Sequence, residues 1–377
     1  MESNVKIIEN GDIFLSRMQT LVNTVNCVGV MGNGIALGFR KHFPAMYQDY
    51  LNRCSHHELV LGKPYLYVST IPPWILNFPT KGHWRDVSRI KDIESGLQYL
   101  LAHYKEWGIK SLALPPLGCG QGQLEWSIVG PTLYRYLYKM DIPVELYAPY
   151  GTQHKELQPE FLDKIRNTTQ QISVYPEPQR IRPAWVALVE ILRRIENEPY
   201  HWPVGRTTFQ KIAYVATTEG LPTNLEFKRG SYGPFASALK KVEAALVNNG
   251  LIEEQQLGNM HSVRVGKTFA DARTAYLKYL DQWEDAINKV ADLFLRVNTQ
   301  QAELVATVLF ATRELTSKEG PKVNELSILQ SIMTWKRRRR PHFQEREVAS
   351  TIRNLAALNW LDVSPSFEPP FVDELVA

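Results

Sequence analysis

Val22-Asn23-Thr24-Val25-Asn26-Cys27-Val28-Gly29-Val30-Met31-Gly32-Asn33-Gly34-Ile35-Ala36 carries the strongest fold signal in the chain. A β-rich run passes through a glycine-rich turn into an amphipathic segment, the pattern of a strand, a tight turn and a helix start. Glycines let main-chain N–H groups approach an anion, and the helix N-terminus adds partial positive charge. Taken alone, such a turn is equally consistent with a simple tight connection. Its spacing fits neither the phosphate loop of triphosphatases nor Gly-x-Gly-x-x-Gly, which disfavours nucleoside triphosphate chemistry.

A second run of the same kind follows downstream, Leu114-Pro115-Pro116-Leu117-Gly118-Cys119-Gly120-Gln121-Gly122-Gln123-Leu124-Glu125-Trp126. In an open α/β sheet, ligands lie beyond the carboxyl ends of the strands, so both loops are expected to face one guest, and a diphosphate suits them. Between them in sequence lies Asn77-Phe78-Pro79-Thr80-Lys81-Gly82-His83-Trp84-Arg85, placed between a strand and a helix on the same edge. A surface lysine is usually a solvated charge. Beside two glycine loops its amine becomes a candidate nucleophile toward a sugar anomeric carbon, with His83 and Arg85 as the neighbouring cations that would tune it.

The surrounding pattern is that of a three-layer α/β domain. Strands are expected at Val5 to Glu9, Thr20 to Asn26, Tyr65 to Val68, Trp74 to Pro79, Ser111 to Leu114 and Val144 to Tyr147. Helices are expected at Ile35 to Lys41, Asp86 to Trp107 and Trp126 to Met140. The polar, proline-dotted stretch around Tyr175-Pro176-Glu177-Pro178 favours extended backbone and marks a boundary. The expected domains are therefore 1–152, a linker over 153–182, and a mostly helical region over 183–377. In that last region helices are expected at Pro183 to Glu196, Thr208 to Thr217, Phe235 to Asn248, Ala270 to Leu295, Gln300 to Thr316 and Gln344 to Leu358. A helix followed by Asn249-Gly250-Leu251-Ile252 and the alternating Met260 to Phe269 resembles the helix and wing of a winged-helix module, with a weaker echo from Glu345 through Leu361.

Composition bounds the rest. A chain of 377 residues exceeds what one hydrophobic core usually supports, and 44% hydrophobic with 22% charged residues is ordinary for a globular protein. Three cysteines without a CxxC pair argue against a zinc site and a disulfide framework, and fit a reducing, cytoplasmic setting. No signal-peptide core and no apolar run long enough to span a bilayer is visible, so no membrane association is expected. A net charge of +4 is too mild to argue for nucleic acid.

With Gly11-Asp12-Ile13 near the start, the two glycine loops and the Pro-Thr-Lys block, in this order, resemble a macrodomain of the terminal ADP-ribose glycohydrolase type. The whole chain resembles the macrodomain antitoxins of DarT–DarG systems. The resemblance implies that Asp12 recognises the adenine amine beside the Ile13 backbone, and that Asn23 and Asn26 lie near the distal ribose. It implies that Gly32, Asn33, Gly34 and Ile35, and Gly118, Cys119, Gly120, Gln121 and Gly122, hold the two phosphates, with Thr80 adjacent. Lys81 matches the catalytic lysine that attacks C1 of the distal ribose. No cofactor and no metal is implied. Eukaryotic relatives carry an aspartate just after Gly-Cys-Gly, whereas this chain has Gln121-Gly122-Gln123; Glu125, the nearest carboxylate, sits at a helix start, where capping is its expected role.

The resemblance further implies ADP-ribosylated DNA as substrate, thymine in a single strand, with His83, Trp84 and Arg85 contacting it. An indole stacks on an unpaired base and a guanidinium pairs with a phosphate. It implies that the C-terminal region binds the cognate DarT toxin. Residues there show no catalytic constellation; Lys336-Arg337-Arg338-Arg339-Arg340 is a positive run suited to nucleic acid, an acidic partner or plain solvation. Two other readings stand beside the hydrolase: a reader that binds ADP-ribose without cleaving it, and a ligand-sensing winged-helix DNA-binding regulator.

Overall fold

A computed structural model of the chain describes residues 3–163, 181–257, 260–295, 297–320 and 322–371. The chain divides into two compact units, Met1–Arg180 with Glu243–Asn249, and Ile181–Val242 with Gly250–Ala377. Each is taken in turn.

The first unit is built on six strands, β1 Val5–Ile8, β2 Thr20–Asn26, β3 Tyr65–Tyr67, β4 Trp74–Lys81, β5 Leu112–Leu114 and β6 Val144–Tyr147, in the order β1-β6-β5-β2-β4-β3. The first five strands of that order pair in parallel and β3 joins β4 antiparallel, so the sheet is mixed. Parallel strands need helical crossovers, which cover both faces and require apolar residues on both. Strand β2 accordingly buries six of its seven residues. On one face helices α1 Gly34–His42 and α2 Pro44–Ser55 pack Phe39, Met46 and Tyr50 against Leu21, Val25 and Ile75. On the other, α3 Ile90–His103 and α4 Trp126–Leu137 pack Ile93, Leu97, Val129 and Leu133 against Val22, Leu76 and Leu146. The result is a three-layer α/β sandwich.

The expected linker over 153–182 contains ordered structure at its start. A 3-10 turn at His154–Glu156 and the short helix α5 Pro159–Leu162 bury Leu157 and Leu162 in the core of the first unit, so apolar burial fixes this stretch despite its polar composition. Residues 164–180 of that linker lie outside the described residues. Helix α3 begins at Ile90 rather than Asp86, because Asp86 Oδ2 accepts the His83 main-chain N–H at 2.7 Å and holds the preceding turn out of the helix.

The second unit is mostly helical: α6 Pro183–Glu196, α7 Arg206–Thr218, the start of α8 Leu239–Asn248 (whose residues from Glu243 on fall in the first unit), α9 Phe269–Ala275, α10 Leu277–Gln282, α11 Glu284–Leu295, α12 Thr299–Glu319, α13 Glu325–Trp335 and α14 Glu345–Ala357. Two hairpins interrupt it, β7 Lys228–Gly230 with β8 Gly233–Phe235, and β9 Ile252–Leu257 with β10 Met260–Val265. Helix α8 followed by the β9–β10 hairpin has the helix-then-wing order read from the sequence. The weaker echo does not form a hairpin: β12 Val363–Ser364 pairs in parallel with β11 Val323–Asn324. The single helix expected over Ala270 to Leu295 is broken into three at Tyr276 and Trp283, whose ψ values of 11° and 16° leave the helical region. Phe269, Leu280 and Phe294 are thereby all buried.

The basic run is corrected by the structure. Lys336 is only 4% exposed; its Nζ donates to Glu303 Oε1 at 2.9 Å and to the Ser231 carbonyl at 2.8 Å. Arg339 also donates to Glu303, at 3.1 and 3.2 Å, leaving Arg337, Arg338 and Arg340 as the exposed members. The buried Glu303 carboxylate requires counter-charge, and two residues of the run supply it. Among the described residues, no helix is long and apolar enough to cross a membrane.

Candidate active site at the carboxyl edge of the sheet

The sheet order brings the sequence motifs together. Strands β5, β2 and β4 are neighbours, and their carboxyl ends run respectively into the Gly118–Gly122 loop, the Cys27–Asn33 loop and Lys81. Strands β1 and β6 complete the same edge, ending at Gly11-Asp12-Ile13 and at Tyr147-Ala148-Pro149-Tyr150. Five strand ends therefore deliver five segments to one side.

The first loop is shaped by Asn26. Its Oδ1 accepts from the N–H groups of Val28 (3.1 Å) and Val30 (3.2 Å), and its Nδ2 donates to the Val30 carbonyl. Tyr50 Oη donates to the Asn26 carbonyl at 2.8 Å from below, where burial pushes that phenol well above its ordinary range. Asn26, expected beside the ribose, thus has both ends of its amide engaged in folding the loop. Asn23 is fully buried, donating to Asn77 Oδ1 at 2.9 Å and to Met31 Sδ. Its own Oδ1 and the Asn77 Nδ2 have no partner among the described residues, a deficit of about 1–3 kcal/mol for each group. Asn33 caps α1, accepting the Gly34 N–H at 2.8 Å, while Gly32, Asn33 and Gly34 stay exposed and Ile35 half-buried.

In the second loop, Gly118 adopts φ +74° and Gly122 admits no side chain, since a Cβ there would fall 2.2 Å from Ser88 Oγ and 2.4 Å from the Gly118 carbonyl oxygen. Gly120 and Gln121 are exposed. Burial pushes the Cys119 thiol up to about 12, and burial followed by Cys54 raises Cys27 to about 11. Neither sulfur is a thiolate nucleophile near neutral pH.

Lys81 is the last residue of β4, half-buried, with Nζ donating to the Gln121 carbonyl at 2.5 Å. Gln121, where the resemblance leads an aspartate to be expected, meets the lysine through its main chain. Thr80 is buried against the Val25 carbonyl. His83 Nδ1 accepts the Arg85 N–H at 3.2 Å, and the Arg85 guanidinium lies 4.5 Å from the centre of the Trp84 ring, a cation–π contact on an indole 45% exposed. Trp84 lies outside α3, which begins at Ile90. Asp12 Oδ1 accepts the Phe14 N–H at 3.0 Å and caps a 3-10 turn that buries Ile13. Glu125 stands at the start of α4, exposed, and its side chain makes no capping hydrogen bond, contrary to the role expected for it.

Sequence reasoning missed three residues of this edge. Asn77 pairs with Asn23, Ser88 lies under the second loop, and Tyr150, 92% exposed, follows β6 directly. Tyr150 had a legible signal, an aromatic residue at a strand's carboxyl end. Ser88 and Asn77 had none, because their partners are distant in sequence.

The sheet order and the two glycine loops define the first unit as a macrodomain, and the family model for the Macro domain matches residues 22–133. Over longer stretches, the chain is 31% identical to the DNA ADP-ribosyl glycohydrolase of Thermus aquaticus across 312 residues, 80% of this chain and 81% of the relative. It is 46% identical over 182 residues to the DNA ADP-ribosyl transferase-DNA ADP-ribosyl glycohydrolase fusion protein of Thermosipho africanus, covering 43% of this chain and about half, 47%, of that protein. The solved macrodomain of Mycobacterium tuberculosis DarG is 40% identical, its match covering 38% of this chain and 98% of that one with a TM-score of 0.37. The chain belongs to the DNA ADP-ribosyl glycohydrolase family.

Proposed function

We propose that this chain releases ADP-ribose from a DNA base, thymine in single-stranded DNA, with Lys81 as the nucleophile. The observation that carries the reading is the position of Lys81, at the carboxyl end of the strand beside β2 and in contact with the second glycine loop. In this reading the two loops hold the diphosphate through main-chain donors, Asp12 and the Ile13 N–H take the adenine end, and Asn26 serves the distal ribose through the loop it shapes. Asn23 supports that loop from beneath. The neutral Lys81 amine attacks C1 of the distal ribose; the bond from C1 to the base breaks, and the base leaves with the electron pair and takes up a proton. Water then adds at C1 and frees ADP-ribose, returning the amine. Trp84 and Arg85, exposed and stacked on each other beside Lys81 in sequence, suit an unpaired base and its phosphate.

The catalytic unit is assigned to residues 1–152, and residues 183–377 to binding of the cognate DarT toxin, in the cytoplasm. The fusion relative from Thermosipho africanus supports the pairing, since its name joins a DNA ADP-ribosyl transferase to a glycohydrolase in one chain. The test is release of ADP-ribose from an ADP-ribosylated thymidine oligonucleotide by the native chain and by Lys81→Ala, with free ADP-ribose binding measured alongside. Release by the native chain and loss in the variant, with binding retained, is the expected result. Binding without release by the native chain would make it a reader, and steeply salt-dependent duplex binding would favour a DNA-binding regulator.

A further inference from the structure

We infer that Ser88 is a positioning residue for Lys81, setting the height of the second glycine loop whose carbonyl holds the lysine amine. The inference rests on Lys81 being the nucleophile.

The Gly118–Gly122 loop is tied to the segment after β4 at two adjacent carbonyls. Gln121 O accepts from Lys81 Nζ at 2.5 Å, and Gly122 O accepts the Ser88 N–H at 3.0 Å. Between those ties the loop rests on the Ser88 side chain. A Cβ built on Gly118 would lie 3.1 Å from Ser88 Cβ, and one built on Gly122 would lie 2.2 Å from Ser88 Oγ and 2.8 Å from Ser88 Cβ. Ser88 is fully buried, and its hydroxyl has no hydrogen-bond partner among the described residues. A buried, unpartnered hydroxyl detracts from stability, so its polarity is not what the position uses. What remains is size: a small side chain lets two glycines come down on it and brings the Gln121 carbonyl within reach of Lys81.

The loop transmits a push instead of absorbing it. Cys119 N–H donates to the Pro116 carbonyl at 3.1 Å, Gln123 N–H to the Gly120 carbonyl at 3.2 Å, and Leu124 N–H to the Gly118 carbonyl at 3.1 Å. These short-range bonds make the segment move as one piece, so an added methyl at position 88 displaces the Gln121 carbonyl. A carbonyl accepting from an ammonium favours the charged amine. Displacing it moves the acid limb of turnover to lower pH and misaligns the amine, a paired effect that a loss of packing alone does not produce.

The experiment uses the full chain as Ser88→Ala, Ser88→Thr and Ser88→Val, with thermal melting as the folding control. Lys81 reactivity is read by incubating each with free ADP-ribose and cyanoborohydride. The amine adds to the ring-opened C1 aldehyde, water leaves, and hydride reduces the imine to a secondary amine that peptide mass spectrometry locates. In parallel, kcat and KM for release from an ADP-ribosylated thymidine oligonucleotide are measured from pH 6 to pH 10. Ser88→Ala is expected to stay within about twofold of native on both readouts. Ser88→Thr and Ser88→Val are expected to lose about tenfold in Lys81 trapping, to lose more in kcat than in KM, and to shift the acid limb downward. Folded Ser88→Val, or Ser88→Thr where Val does not fold, with native trapping and native pH profile overturns the inference alone. Trapping at Lys81 without release from DNA overturns the substrate reading and leaves Ser88 decided by trapping. No adduct at Lys81 in the native chain overturns both.

Discussion

Lys81, Lys211 and Lys336 each donate to a main-chain carbonyl, from settings that differ between the two units. Lys81, on the sheet edge, reaches the exposed Gln121 from a half-buried position. Lys211 and Lys336, in the helical unit, reach the carbonyls of Pro234 and Ser231 from beneath the β7–β8 hairpin, at 2% and 4% exposure. The second pair lies beside a buried carboxylate, Glu303, which Lys336 contacts directly. In the proposed mechanism, the same donor and acceptor chemistry serves reactivity at an open strand end and structural anchoring under a hairpin. Access for a reacting carbon separates them.

Lys81→Ala is expected to reduce ADP-ribose release by roughly a thousandfold while shifting the melting temperature little, since a nucleophile's loss acts on kcat. A loss of stability equal to that of a core residue would erase the contrast. Lys336→Met should do the reverse, lowering unfolding free energy by about 3 kcal/mol in urea titrations, because Glu303 is left buried with Arg339 as its remaining partner. Turnover by the folded protein should be retained.

Trp84→Ala is expected to slow release from the oligonucleotide about tenfold, the scale of one lost base stack, with free ADP-ribose affinity unchanged by calorimetry. Equal loss of both would return Trp84 to a packing role. Lys211 offers a pH signature. Burial, then Lys336, pushes its amine down to about 7, opposed by Glu303. Between about pH 7 and the ordinary lysine range the unfolded chain binds the proton that the folded chain has released, so this group makes stability rise with pH, by up to about 1.4 kcal/mol per unit. Below pH 7 both states are protonated and the penalty is constant. Native minus Lys211→Met unfolding free energies from pH 7 to 9 should show that slope; a flat difference refutes it. The smallest effect is expected for Glu125→Ala, with turnover within twofold, as its exposed carboxylate caps nothing. A large loss would place Glu125 in proton transfer.

Local pattern made much of the first unit legible. Strands β2 and β6 match their expected limits because β-branched and apolar residues run between clear turn signals. Helix α2 was not legible: Pro44, a breaker in the interior of a helix, instead occupies its first turn, where a missing N–H is harmless. Helix α13 was hidden by an apolar stretch without a clear period, and the division of α9, α10 and α11 falls at Tyr276 and Trp283, which carry no glycine or proline.

The sequence by itself determined the two glycine loops, the lysine between them and the order in which strands deliver them, because turn chemistry and periodicity are local. Only the tertiary structure decided that β5, β2 and β4 lie side by side, so that segments far apart in sequence share one edge. It also decided that Gln121 meets Lys81 through its carbonyl, that Ser88 carries the loop, and that Lys336 and Arg339 leave the surface for Glu303. Strand adjacency and the burial of charge depend on partners many residues away, and a main-chain carbonyl carries no side-chain signature from which its partner could be read.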